Sequence, residues 1–181
     1  MIIDSICVFC GASPGNQAIY MDAATSFGAE LGRHGIRLIY GGGKSGLMGC
    51  VADSALTAGG EVTGVIPNYL KDRELGHRKL TNLEIVNSMH ERKQRMFDLA
   101  DGIVALPGGV GTLEEVLEII TWKQLGMHNK PIILLNSMGY WDHLNDLILN
   151  TITHGFAKTR TKDLYEMVAH STEIIPALKL I

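Results

Sequence analysis

The segment Pro107-Gly108-Gly109-Val110-Gly111-Thr112-Leu113-Glu114-Glu115 carries the residue types best suited to chemistry in this chain. An apolar run over residues 102–106 feeds straight into it, so the glycines form a turn between a strand and a helix. Free amides in such a turn, together with the Thr112 hydroxyl, can ring a phosphate at the start of the helix, where the macrodipole is positive. Glu115 has two readings. Thr112-Leu113-Glu114-Glu115 matches a capping box, with Thr112 as N-cap and Glu115 three residues on, and local logic favours this. The alternative sets the same carboxylate one turn into the helix, beside a bound phosphate and its sugar. Glu114, one position away, points to another face.

A second segment, Asn87-Ser88-Met89-His90-Glu91-Arg92-Lys93, complements the first. Ser88 and Glu91 again fit a capping box, which puts Arg92 and Lys93 in the first turns of a helix. Cations there oppose the macrodipole at a cost of about 0.3–1 kcal/mol. Either a solvated helix face absorbs that cost or a bound anion removes it.

Two further glycine turns follow strands, at 11–15 and 41–46. The latter, Gly41-Gly42-Gly43-Lys44-Ser45-Gly46, fits G-x-G-x-x-G and supports phosphate binding. It does not specify NAD, because Glu61, at the expected offset, opens the next strand instead of closing it. It is not a P-loop either, because Leu38 stands where that motif needs glycine. The alternative is that all three turns serve only the fold.

The composition narrows the class. The chain has 181 residues, 46% hydrophobic and 19% charged, which fits one globular domain. A net charge of -3 without a basic block argues against nucleic acid as a partner. No apolar stretch reaches the roughly 18 residues of a membrane span, and the first residues do not read as a signal peptide. The expectation is a cytoplasmic protein with no membrane association. Three cysteines fit a reducing compartment. Cys7 and Cys10 form a C-x-x-C, but on a strand residues three apart face opposite sides, so they read as core thiols. The seven histidines lack metal-ligand spacing, and only His90, beside Arg92, is of interest. No metal site and no cofactor are expected.

The elements that must position these residues alternate. Apolar runs over 6–10, 36–40, 61–66, 83–86, 102–106 and 130–135 read as strands, with a short one near 165–168. Helices read at 17–34, 47–58, 89–100, 112–125 and 141–153 and after 171, while 68–82 reads as a loop or irregular helix. This pattern predicts an α/β fold: a single-domain, Rossmann-like, doubly wound parallel sheet with helices on both faces, spanning 1–181. Ligands are then expected beyond the carboxyl ends of the strands, where the glycine turns fall. The 112–125 helix carries Val116, Leu117, Ile119, Ile120 and Trp122, more apolar surface than one sheet contact needs, so part of it is expected to form a dimer interface.

Pro-Gly-Gly-x-Gly-Thr-x-x-Glu at 107–115 and Met-x-x-Arg-Lys at 89–93 together resemble the LONELY GUY family. Its members are cytokinin-activating phosphoribohydrolases, also labelled lysine decarboxylases. The likeness covers most of the chain and includes Cys10-Gly11-Ala12-Ser13, Gly46-Leu47-Met48-Gly49 and Thr121-Trp122. The resemblance implies a modified Rossmann fold, commonly dimeric, that cleaves a nucleoside 5′-monophosphate to free base and ribose 5-phosphate without metal or cofactor. It implies Arg92 and Glu115 as catalytic. It implies a substrate site lined by Gly43, Glu74, Met89, Lys93, Gly108, Gly109, Val110, Gly111, Thr112 and Thr121. Position 12 is Ala where many members have Ser, which leaves Ser13 as the hydroxyl candidate. Two other functions fit parts of the pattern. One is a non-catalytic binder of a nucleotide or of a molybdenum-cofactor-type pterin, against which the pairing of Arg92 with Glu115 argues. The other is decarboxylation, which needs a Schiff-base lysine that nothing in the sequence singles out.

Overall fold

The computed structural model describes residues 3–71, 77 and 79–180. The first strand, β1 (Ser5–Phe9), is buried at every position, as are β3 (Val62–Pro67), β5 (Gly102–Ala105) and β6 (Ile132–Leu135). β2 (Arg37–Tyr40) is buried after its first residue. Continuous burial without polar alternation is what a parallel sheet covered on both faces requires. The partly exposed strands β4 (Asn82–Val86) and β7 (Glu166–Val168) are accordingly the edges. The order is β4-β3-β2-β1-β5-β6-β7, and every pairing among the described residues is parallel.

The helices divide between the faces, as the doubly wound reading expects. α1 (Ala18–Arg33), α2 (Gly46–Thr57) and α7 (Ile174–Leu180) pack on one side, where Ile6, Val8 and Cys10 meet Phe27, Leu31, Val51 and Leu178. α4 (Met89–Leu99), α5 (Val110–Gln124) and α6 (Asp142–Thr153) pack on the other, where Cys7 and Phe9 meet Met96, Val116, Ile120 and Ile148. Cys7 and Cys10 thus fall in different cores. Burial raises both thiols above their ordinary range, which keeps them protonated and inert. Of the segment read as irregular, 68–82, the described residues contribute one short helix, α3 (Asn68–Lys71), before β4, and 72–76 and 78 lie outside the described residues.

One boundary differs in a way that matters. The fifth helix begins at Val110, not at Thr112, and its N-cap is Gly109 with no side-chain cap. Thr112 and Glu115 therefore stand inside the helix, and the capping box read from the sequence does not form there. The Ser88 cap does form: its hydroxyl accepts from the Glu91 N–H at 3.1 Å, while the Glu91 carboxylate accepts from the Asn87 N–H at 2.8 Å.

Candidate active site

The strand order reverses at β1, which pairs with β2 on one side and β5 on the other. β1 leads into α1 on one face and β5 into α5 on the opposite face, so the chain diverges at their carboxyl ends and leaves a crevice. A cavity of about 660 Å³ opens there. The turn after β1 and the turn after β5 wall it together, held by the Gly11 N–H donating to the Pro107 carbonyl at 3.0 Å.

The glycine turns differ in what their amides do. At the start of α2, the Leu47 and Met48 N–H groups donate to the Gly11 carbonyl at 3.0 and 3.3 Å. That helix end is satisfied by the fold, so the G-x-G-x-x-G turn is in large part a packing device. At the start of α5, the N–H groups of Val110, Gly111 and Thr112 have no acceptor among the described residues, and the first turn carries no acidic side chain. A helix N-terminus in that state is a site for an anion. Gly108 is required for a different reason: a Cβ there would stand 2.1 Å from the Thr112 hydroxyl oxygen. The absence of a side chain lets buried Thr112 pack against the turn at the cavity wall.

Arg92 reaches the cavity from α4. It is only 5% exposed, a position that costs several kcal/mol for a cation without hydrogen bonds. Its Nε donates to the Val65 carbonyl at 3.1 Å and its Nη2 to the Gly41 carbonyl at 2.9 Å. The carboxyl ends of β3 and β2 thus fix the guanidinium against the wall. Glycine at 41 is a condition of that arrangement, because a Cβ would lie 1.9 Å from Arg92 Nη2. Glu115 enters from α5, half-buried, and lines the same cavity. Both charges reach the end of β1: beyond the effect of burial, Glu115 pushes the Cys7 and Cys10 thiols further up and Arg92 pulls them down.

Of the residues expected to line the site, Ser13, Met89, Arg92, Gly108, Gly109, Gly111, Thr112 and Glu115 meet at the cavity. Glu74 lies outside the described residues. The structure does not bring the other four to it. Gly43 is buried in the turn behind the wall, and Val110 is 82% exposed on the outer side of α5. Thr121 is exposed three turns along α5 and donates to the Leu117 carbonyl at 2.7 Å. Lys93 turns away and forms ion pairs with Glu114 and with Glu118, the latter at 2.8 Å. Burial disfavours the Lys93 charge, but the two carboxylates outweigh it and hold the ammonium above its ordinary range. The cation near the start of α4 is thereby neutralised by α5, without a ligand. His90 is exposed and outside the cavity.

The sequence reading missed Tyr20, Met48, Leu70, Met96 and Tyr140, all of which line the cavity. Tyr140 follows β6, the neighbour of β5, and so emerges at the same sheet edge. That topological position is the one signal that could have found it. Among the described residues, no lysine lines the cavity, and no cluster of histidine, cysteine and carboxylate suits a metal ion.

The family described as "Possible lysine decarboxylase" matches residues 48–178. The cytokinin riboside 5′-monophosphate phosphoribohydrolase LOG4 of Arabidopsis thaliana is 44% identical over 174 residues, covering 96% of this chain and 81% of that protein. LOG1 of the same plant, with the same activity name, is 42% identical and covers 96% and 82%. Among solved structures, the molybdenum cofactor carrier protein of Chlamydomonas reinhardtii superposes with a TM-score of 0.72 at 21% identity, covering 97% of this chain and 96% of that one. At that identity the likeness shows a shared fold and nothing more.

Proposed function

This chain belongs to the LONELY GUY family, which also carries the lysine decarboxylase label, and on that premise we propose that it hydrolyses the N-glycosidic bond of AMP or of an N6-substituted adenosine 5′-monophosphate. Water adds to C1′ of the ribose, the C1′–N9 bond breaks with its electron pair leaving on the base, and the proton that the water loses ends, net, on the base. The products are free base and ribose 5-phosphate. The observation that carries the reading is the convergence of Arg92 and Glu115, from two helices, on a cavity whose third wall is the open N-terminus of α5.

Each part has a role that follows from its chemistry. The amides of α5 hold the 5′-phosphate, which converts remote binding energy into orientation of the sugar. As the bond breaks, positive charge grows at C1′ and the ring oxygen, and the Glu115 carboxylate stabilises it and orients the attacking water. Arg92, pinned by two carbonyls, presents a rigid cation to phosphate or ribose oxygens. Leu47, Met48, Leu70, Met89 and Met96 make the rest of the wall apolar, which suits a base and a substituent on it. That lining gives a direct expectation: kcat/KM for isopentenyladenosine monophosphate exceeds that for AMP by about tenfold or more, tenfold being the worth of about one buried methylene. Equal or reversed specificity constants would assign the enzyme to general AMP cleavage.

The proposal includes a homodimer. Four of the five apolar residues first considered for the interface are taken up within the chain: Val116, Ile119 and Ile120 are buried, and Trp122 packs edge-on against Phe97 at 5.3 Å. Val110, Leu117 and Thr121 on α5, with Leu125 at its C-cap, instead form an exposed stripe at helical spacing. A second copy seated on that stripe would give Thr121 a place beside substrate that its own protomer does not. Sedimentation of the purified chain at micromolar concentration is expected to show a dimer, and Leu117→Glu a monomer; a wild-type monomer refutes this. No helix among the described residues is long and apolar enough to cross a membrane. From its three free thiols, which fit a reducing compartment, we propose that the reaction takes place in the cytoplasm.

A further inference from the structure

We propose that Tyr140 is a positioning residue that sets the aim of the phosphate-binding amides. Its hydroxyl donates to the Gly108 carbonyl, at the entrance to α5. The peptide between Gly108 and Gly109 is planar and trans, so a held carbonyl also fixes the direction of the Gly109 N–H. Gly109 offers no side chain to pack, and apart from its chain neighbours no group lies within 4 Å of where its Cβ would be. The preceding carbonyl, of Pro107, is held by the Gly11 N–H. With both carbonyls engaged, the Gly108 and Gly109 peptides are fixed, and Gly109 is the N-cap from which the open amides of Val110, Gly111 and Thr112 continue.

Tyr140 is itself rigidly held. It lies in a turn in which Met138, at φ 56°, is the single described non-glycine residue in the left-handed region. The turn is closed by the Asn136 side chain, whose Oδ1 accepts from the Trp141 N–H at 2.7 Å and whose Nδ2 donates to Asp142 at 2.7 Å. The Tyr140 ring meets Tyr20 edge-on at 6.0 Å and Trp141 at 5.0 Å. Trp141 is almost fully buried, so the aromatic ladder ties the phosphate turn to the core. Strain at a non-glycine residue persists where its surroundings enforce it, and here the enforced result is the aim of one hydroxyl.

The inference rests on the phosphate reading of the α5 amides, and the test separates the two. Purified Tyr140→Phe keeps the ring contacts and loses only the donor. Its KM for AMP, and its inhibition constant for ribose 5-phosphate, are expected to rise about tenfold each. Inhibition by free adenine, which lacks the phosphate, stays at the wild-type value. Wild-type constants for both phosphorylated ligands would overturn the proposal. So would an equal loss for adenine and ribose 5-phosphate with a lowered melting temperature, since that is what general loosening gives. If the wild-type protein binds no ribose 5-phosphate and cleaves no AMP, the phosphate reading itself fails and takes this inference with it.

Discussion

Glu115→Gln is expected to lower kcat for AMP by roughly a thousandfold while leaving nucleotide affinity within a few-fold of wild type. The substitution preserves shape and removes only the charge. That charge matters most when the sugar becomes cationic, so its loss falls on the transition state and not on ground-state binding. Stability is expected to change little, because Glu115 is not a helix cap: the helix begins at Val110 with Gly109 in that position. The two readings of this residue therefore separate in one variant. A cap predicts a loss of about 1 kcal/mol in stability and an active enzyme; the catalytic role predicts the reverse. Turnover near wild type, measured as base released from AMP, would remove Glu115 from the mechanism.

The contrast between those readings shows where the sequence was legible and where it was not. The buried strands were readable because apolar runs without alternation have few other uses. The start of α4 was readable because Ser88 and Glu91 act within one turn of each other. Thr112 and Glu115 have the same spacing but no such role. Gly109 enters the helix first, and its lack of a side chain leaves no trace of a cap in the motif. The surroundings of Lys93 were illegible for a related reason. A cation near a helix N-terminus looks unsatisfied when that helix is considered alone, and its partners, Glu114 and Glu118, belong to α5. The glycine turn after β5 was visible as a motif, yet Tyr140, whose hydroxyl donates to the Gly108 carbonyl, sits 32 residues away and meets it only because β6 lies beside β5. Local rules find what one element does with itself. Contacts between elements become legible only once the strand order is known.

Gly41 is such a contact, and it gives the second large expected effect. Gly41→Ala introduces a methyl group 1.9 Å from the present position of Arg92 Nη2, with the Met48 sulfur also close at 3.2 Å. A backbone obstacle would break the fold, but this obstacle is the end of a flexible side chain. The guanidinium is therefore expected to swing away while the sheet stays intact. Swung into the cavity, the guanidinium regains water and is not left buried and unsatisfied, so the lost carbonyl contacts cost about 1–3 kcal/mol, a modest fall in melting temperature for a domain of this size. Activity should fall far more, by about a hundredfold or greater, because a displaced catalytic group forfeits orientation. The mechanism has a strict signature. If the methyl group acts only through the arginine, Gly41→Ala combined with Arg92→Ala is no less active than Arg92→Ala alone, since residues that act as one unit are not additive. Additive losses in kcat would mean that Gly41 serves the site by another route, and an active Gly41→Ala enzyme would show that the arginine's anchored position is not the one in which it works.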